Sequence, residues 1–171
     1  SSTNNNAEKS KPNILLILLD DFGVNDLGIN NQQTSQTPNL NSLAQQGSYF
    51  PRHYTDSSCA PSRAALLTGM RPSRLGFTPT GIGISPEITT LPEILKQHGY
   101  QTTHIGKWHL GHNDRLAWPD KQGFDSWFGF LHQFDLGGPR ESSETGFHSP
   151  TYINPWLQSN DHESKPFKGH L

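Results

Sequence analysis

The stretch Ser58-Cys59-Ala60-Pro61-Ser62-Arg63-Ala64-Ala65-Leu66-Leu67-Thr68-Gly69 organises the chain, and it holds the single cysteine among 171 residues. Pro61 suits the first turn of a helix, where its missing N–H removes no hydrogen bond. Ala64 to Leu67 are good helix formers, and Gly69 is a natural C-terminal stop. The pattern therefore predicts a helix with Cys59 just before its N-terminus, where backbone N–H groups and the helix dipole stabilise negative charge.

A lone cysteine is most often a small buried hydrophobic residue, so Cys59 by itself does not indicate chemistry. Arg63 changes the interpretation because it lies one helical turn further on and can face the same place. The stretch resembles the signature of the sulfatase family, Cys-x-Pro-Ser-Arg followed by x-x-x-Leu-Thr-Gly, and matches it at every fixed position. The resemblance implies that a formylglycine-generating maturation enzyme converts Cys59 to Cα-formylglycine, an aldehyde.

An apolar run, Ile14 to Leu19, ends in Asp20-Asp21. The run predicts a strand buried on both faces of a parallel sheet, with the two carboxylates at the sheet edge where α/β folds bind ligands. A solvated acidic turn is the alternative, but adjacent carboxylates repel unless a cation compensates, and hard divalent cations prefer oxygen ligands. The resemblance implies that Asp20, Asp21 and the oxygen of the modified Cys59 bind one calcium ion.

Two further segments show a helix, a glycine and then a strand. Thr37-Pro38 opens a helix that Gly47 ends, and residues 49–54 read as a strand. Residues 90–98 predict a second helix ended by Gly99, with a strand over residues 100–105. This alternation predicts the αβ rhythm of a parallel sheet. Residues 70–86 read as a long loop, and residues 123–129 as an aromatic turn that packs.

The second strand leads into Gly106-Lys107-Trp108-His109. Lys107 and His109 are two apart, so an extended backbone points both the same way. A cation and an imidazole at one place suit an anionic substrate and proton transfer, although a surface lysine and a core-edge histidine would share this pattern. The stretch from Gly99 to His109 resembles the second signature of the sulfatases. The resemblance implies that Arg63 and Lys107 balance the charge of the sulfate and that His109 removes a proton.

The resemblance covers roughly residues 11 to 130. It implies an α/β, alkaline-phosphatase-like sandwich, with a central mixed, largely parallel sheet between helices. It also implies hydrolysis of a sulfate ester on a sulfated small molecule or glycan, through the hydrated aldehyde at residue 59. Two alternatives remain open. One is a phosphonate or phosphate monoester hydrolase of the same superfamily, and the other is a non-catalytic sulfated-glycan-binding domain in which Cys59 is unmodified.

Composition limits the partners. The net charge of −2 predicts that nucleic acid is not a partner. The longest apolar run, Ile14 to Leu19, has six residues and is too short to span a bilayer. We expect residues 1–10 to be a disordered segment and residues 11–171 to be the N-terminal part of a sulfatase catalytic domain, loop-rich from residue 130. The remainder of the sulfatase chain would supply the missing calcium ligands and leaving-group acid. The resemblance to the sulfatases and the polar N-terminal segment, residues 1–10, favour a periplasmic or secreted protein with its signal peptide removed.

Overall fold

A computed structural model describes residues 11–33, 35–76, 83–112, 114–131, 156–159 and 165–166. The predicted disordered segment, residues 1–10, lies outside these residues. The chain divides into two compact units, residues 1–51 and residues 52–171. Each unit is described by itself below.

The first unit contains one α-helix, α1 (Pro38–Gln46), among its described residues. The predicted boundaries are confirmed, because Thr37 is the N-cap, Pro38 opens the helix and Gly47 closes it with a bond from its N–H to the Leu43 carbonyl. A 3-10 helix spans Val24–Asp26, and the Asp26 carboxylate accepts a hydrogen bond from the Gly23 N–H at 2.7 Å.

Two strands predicted in the first half of the chain are wrong. Residues 14–19 have no strand hydrogen bonding, and their side chains are exposed, from 45% at Leu18 to 85% at Leu15. Residues 49–54 also contain no strand. A strand exists only when another strand pairs with it, and no described segment of the first unit does so. The apolar composition of residues 14–19 is therefore not sufficient to make them a strand here.

The second unit begins with α2 (Cys59–Thr68), whose N-cap is Ser58. Cys59 thus occupies the first helical position rather than the residue before it. Gly69 ends the helix in the left-handed region, with φ 67°. Helix α3 (Leu91–Gln97) starts at the N-cap Thr90, whose backbone N–H donates to the Glu93 carboxylate at 2.7 Å. Both helices follow the local signals in the sequence.

A four-stranded mixed sheet completes this unit, in the order β1 (Thr103–Lys107), β2 (Ser126–Phe130), β3 (Trp156–Ser159) and β4 (Lys165–Pro166). Strands β1 and β2 are parallel, with Lys107 opposite Phe130, and the other two pairings are antiparallel. Strand β1 begins and ends later than predicted. Residues 126–130 form a strand, so the predicted aromatic turn over residues 123–129 is wrong.

The core of the second unit lies where α2 meets the ends of β1 and β2. Its fully buried residues are Ala64, Ile84, Trp108, Leu110, Trp127 and Leu131. Three 3-10 helices (Pro72–Arg74, Arg115–Ala117 and Pro119–Lys121) lie in the connections. Among the described residues, no helix has both the length and the apolar character needed to cross a membrane. The end of β1 and the start of α2 are thus held against one core.

Candidate active site

The two sequence stretches meet at Cys59 and His109. The Cys59 Sγ lies 3.3 Å from the His109 Nδ1, although 50 residues separate them. Both side chains are half-buried, Cys59 at the first position of α2 and His109 two residues after β1. An imidazole nitrogen at this distance can accept a proton from the atom bonded to the Cβ of residue 59. The predicted convergence of His109 on Cys59 is therefore present.

His109 is held in an unusual backbone conformation. Its φ is 58°, in the left-handed region, which costs a residue with a Cβ about 1–2 kcal/mol. Its neighbours Trp108 and Leu110 are 1% and 0% exposed, and its N–H donates to the Leu131 carbonyl at 3.1 Å. Burial on both sides and this hydrogen bond fix the turn. Strain of this kind is concentrated at functional sites, where the surrounding structure maintains it.

Arg63 links α2 to the end of β1 by a second contact. Its Nη1 donates to the Lys107 carbonyl at 2.7 Å, and the side chain is 8% exposed. Lys107 is half-buried at the last position of β1. A buried guanidinium keeps its positive charge, so the site carries a fixed cation beside Lys107. One direct contact thus joins Cys59 to His109, and another joins Arg63 to the backbone of Lys107, while the catalytic roles of all four residues stay predictions.

Trp108 anchors the turn between Lys107 and His109. Its indole N–H donates to the Ala117 carbonyl at 2.8 Å, and its backbone N–H donates to the Phe130 carbonyl at 3.0 Å. The first bond ties the turn to the 3-10 helix Arg115–Ala117, and the second extends the pairing of β1 with β2 by one residue. Trp108 therefore sets the direction in which the chain presents His109.

Asp20 and Asp21 lie at a bend in the first unit, and both residues are exposed. Asp21 has a φ of 53°, so it and His109 are the non-glycine residues with positive φ in the described part of the chain. Within the described residues, no group of three or more His, Cys, Asp and Glu side chains is gathered as a metal site. Two adjacent carboxylates nonetheless fit a hard cation, because calcium binds oxygen ligands and completes its shell with carbonyls and water. The pair fits part of a calcium site.

Sequence reasoning gave no role to His104, which lies beneath this site. Its ring packs against Trp108 and Phe124, with ring centroids 5.3 Å and 5.4 Å apart. Burial, together with the positive charge of Arg63, lowers the pKa of His104 from 6.5 to about 4, despite an opposing hydrogen bond to the Gly106 backbone. The two-residue period of β1 was the available signal, since it places His104 on the same buried side as Trp108.

Comparisons with known proteins agree with these observations. A family model described as Sulfatase matches residues 12–167. N-acetylgalactosamine-6-sulfatase of Canis lupus familiaris is 48% identical over 132 residues, which cover 69% of this chain and 25% of that protein. Arylsulfatase G of Mus musculus is 46% identical over 133 residues, covering 74% and 25%. The chain spans about a quarter of the length of the curated relatives it matches.

Solved structures are similar as well. Ps i-CgsB in complex with k-i-k-neocarrahexaose is 37% identical with a TM-score of 0.67, covering 72% of this chain and 29% of that chain. BT4656 in complex with its substrate D-glucosamine-2-N,6-O-disulfate is 30% identical with a TM-score of 0.72, covering 94% and 28%. These neighbours confirm the predicted fold class, the alkaline-phosphatase-like α/β fold.

Proposed function

The chain belongs to the sulfatase family, and from that premise we propose that its protein hydrolyses sulfate esters at the site around Cys59. The observation that carries the proposal is the 3.3 Å approach of the Cys59 Sγ to the His109 Nδ1. This contact joins Cys59 of the first signature to the imidazole of His109 in the second signature. The names of the relatives, N-acetylgalactosamine-6-sulfatase and arylsulfatase G, point to the same reaction class.

The nucleophile is proposed to come from residue 59 after its conversion to formylglycine. The position fits this group because the Sγ faces a nitrogen base and lies in the first turn of α2, where backbone N–H groups favour a developing oxyanion. The hydrated aldehyde supplies a hydroxyl nucleophile for a substitution at sulfur, and nucleophilic catalysis divides one difficult step into two easier ones. A cysteine or serine lacks the second hydroxyl through which sulfate can then be released.

His109 and the two cations have separate parts in this scheme. His109, neutral at Nδ1, accepts a proton from the group bonded to the Cβ of residue 59, and its fixed backbone keeps the nitrogen aimed there. Arg63 is held by the Lys107 carbonyl and places a permanent positive charge beside the site. Arg63 and Lys107 together offset the negative charge of the sulfate oxygens, as positive groups fixed in place do for charge that develops in a transition state.

Calcium is proposed to bind Asp20 and Asp21, with further ligands from other parts of the protein. Their adjacent carboxylates are donors of the type that calcium prefers. A bound calcium ion would polarise a sulfate oxygen as a Lewis acid and lower the pKa of a hydroxyl bound to it. Asp21 also has a positive φ of 53°, an uncommon conformation that is concentrated at functional sites, which supports a ligand role.

We propose a sulfated carbohydrate as the substrate. Its support is that two structural neighbours were solved with oligosaccharide or sulfated sugar ligands, and that one relative is named for a sulfated amino sugar. A formylglycine-generating maturation enzyme as partner and a location in the periplasm or outside the cell belong to the same proposal. A sulfated small molecule is the other substrate class compatible with the same chemistry.

A rate comparison tests the proposal. The intact protein should hydrolyse 4-nitrophenyl sulfate faster than 4-nitrophenyl phosphate, because the family it belongs to and the relatives it matches are named for sulfatase activity. Cys59→Ala should abolish the reaction, whereas His98→Leu, at the exposed end of α3, should leave it unchanged. Faster phosphate hydrolysis would replace the proposal by a phosphoryl ester hydrolase. Full activity of Cys59→Ala would refute the assignment of the nucleophile.

A further inference from the structure

His104 occupies the aromatic layer directly beneath the site. It lies on β1, three residues before Lys107, with Trp108 at its edge and Phe124 on another side. Its Nε2 is buried and makes no hydrogen bond to any group in the described part of the chain. A buried nitrogen without a partner lowers stability, so an apolar residue would fill this place at lower cost. The presence of a histidine at position 104, where an apolar residue would be more stable, therefore needs an explanation.

The surroundings of His104 accept the neutral ring and oppose a charged one. Arg63, from α2, is the charged side chain that acts on it, while Trp108 and Phe124 present uncharged rings and Gly106 its backbone. A proton added at the buried Nε2 would have no acceptor there. The charged form therefore meets two penalties at once, lost hydration and repulsion from a like charge.

A displacement of His104 would be felt at the site through Trp108. That residue lies between Lys107 and His109, and its ring contacts both His104 and Phe124. The like charge on His104 would act on Arg63, whose Nη1 holds the Lys107 carbonyl. Both routes converge on the residues that carry the proposed chemistry. Neither requires His104 to touch a substrate.

We propose that His104 is a positioning residue that, as a neutral ring, supports Trp108 and thereby the Lys107–His109 turn, and that releases this support when acid protonates it. This inference rests on the proposed sulfatase function for its effect on catalysis. It gives the Lys107–His109 turn a dependence on the protonation of His104 that is separate from the proton acceptance proposed for His109. At neutral pH its contribution is one of packing alone.

Three variants of the intact protein separate these roles. His104→Leu keeps most of the side-chain volume and removes the titration, whereas His104→Ala removes both. His98→Leu is the matched control, because His98 is exposed at the end of α3. The values of kcat and KM for 4-nitrophenyl sulfate are measured at pH 7.5, and tryptophan fluorescence, which reports on Trp108, is followed from pH 7.5 to pH 4. In parallel, ¹³C-labelled histidine is followed by NMR, and the resonance absent from His104→Leu identifies His104.

We expect His104→Ala to lower kcat at pH 7.5 by about tenfold with KM changed less than about twofold, the pattern of a lost transition-state interaction. The kcat of His104→Leu should stay within about threefold of the natural protein at pH 7.5, and its fluorescence should keep the neutral-pH value to lower pH than that of the natural protein. His98→Leu should reproduce the natural profile. The His104 resonance should titrate near pH 4. These results together support the proposal.

Other outcomes overturn it. An acid transition of the tryptophan fluorescence that His104→Leu leaves unchanged, or an unaltered kcat in His104→Ala, would show that His104 does not position the site. A His104 resonance that titrates near pH 6.5 would show that the ring is not held in the buried, neutral form. If the natural protein hydrolyses no sulfate ester, the proposed function fails, and the NMR titration still decides whether His104 is held as described. The same titration decides the matter if His104→Ala does not fold.

Discussion

The left-handed backbone of His109 predicts an unusual order of stability for two substitutions. His109→Gly and His109→Ala remove the same imidazole and the same approach to Cys59, so they differ in their effect on the backbone. Glycine adopts a φ of 58° without strain, whereas alanine keeps the Cβ that opposes it. We therefore expect the glycine variant to be the more stable of the two.

The size of the difference follows from two opposing effects. A residue with a Cβ pays about 1–2 kcal/mol in the left-handed region. Glycine gives the unfolded chain more freedom, which lowers the stability of the glycine variant by about 0.4–1 kcal/mol. The free energy of unfolding of His109→Gly should thus exceed that of His109→Ala by about 1 kcal/mol. Both variants should lose activity to a similar extent, about 10²- to 10⁴-fold, because both lack the proton acceptor.

Urea unfolding of the intact protein measures this difference, with Ser42 as the control position. Ser42 is exposed in the middle of α1, a right-handed helix, so Ser42→Gly should be less stable than Ser42→Ala by about 1 kcal/mol. The order of glycine and alanine should therefore reverse between the two positions. If His109→Ala proves as stable as His109→Gly, while Ser42 behaves as expected, the backbone of His109 is not held in the left-handed region and the argument is refuted.

Four further predictions follow from other parts of the chain. The pKa of His104 falls from 6.5 in the unfolded chain to about 4 in the folded protein, so the unfolded state binds more protons between these values. The free energy of unfolding, measured with urea, should therefore fall by about 3 kcal/mol from pH 7 to pH 4, and by less in His104→Leu. Gly129→Ala should destabilise the protein by about 2 kcal/mol or more by the same assay, since its Cβ would overlap the Gly106 carbonyl across the two parallel strands. Trp108→Phe should lose about 1–3 kcal/mol of stability because a buried carbonyl loses its indole donor, and its kcat should fall more than its KM changes. Asp21→Asn should weaken calcium binding in isothermal titration calorimetry while leaving the circular dichroism spectrum unchanged, and tight binding by that variant would exclude Asp21 as a ligand.

The helices could be predicted because their signals are local. Pro38 opens α1 with a φ that suits the first helical turn, and Thr90 with Glu93 at the start of α3 satisfies backbone groups within one turn. Gly69 closes α2 in the conformation that glycine alone adopts without strain. These choices do not depend on distant residues. The boundaries therefore differ from the prediction by a residue or two.

The strands were harder to predict because their partners are distant in sequence. Residues 14–19 are apolar enough for a buried strand, but no described segment of the first unit pairs with them. Conversely, residues 126–130 read as a turn, yet Trp127 and Gly129 face the core while Ser126 and Phe128 are exposed. The residue types do not alternate in this way, because the exposed Phe128 is apolar and the buried residue 129 is a glycine, so the strand is seen only in its pairing with β1.

The site residues were predicted from their resemblance to two signatures, but their geometry was not. Spacing alone gave a lysine and a histidine on one side of a strand, without any indication that His109 is left-handed. The bond from Arg63 to the Lys107 carbonyl joins residues 44 apart, and no local pattern reports such a contact. The buried state of His104 likewise depends on Phe124, which arrives from a different part of the chain.

The central claim is that residue 59 carries the nucleophile of a sulfatase, and mass spectrometry of the natural protein tests it most directly. The peptide that contains Cys59 should be recovered mainly as the aldehyde, which is lighter than the thiol, in preparations that hydrolyse 4-nitrophenyl sulfate. The aldehyde fraction should rise and fall with the specific activity across preparations. A fully active preparation in which residue 59 is entirely the unmodified thiol would contradict the account.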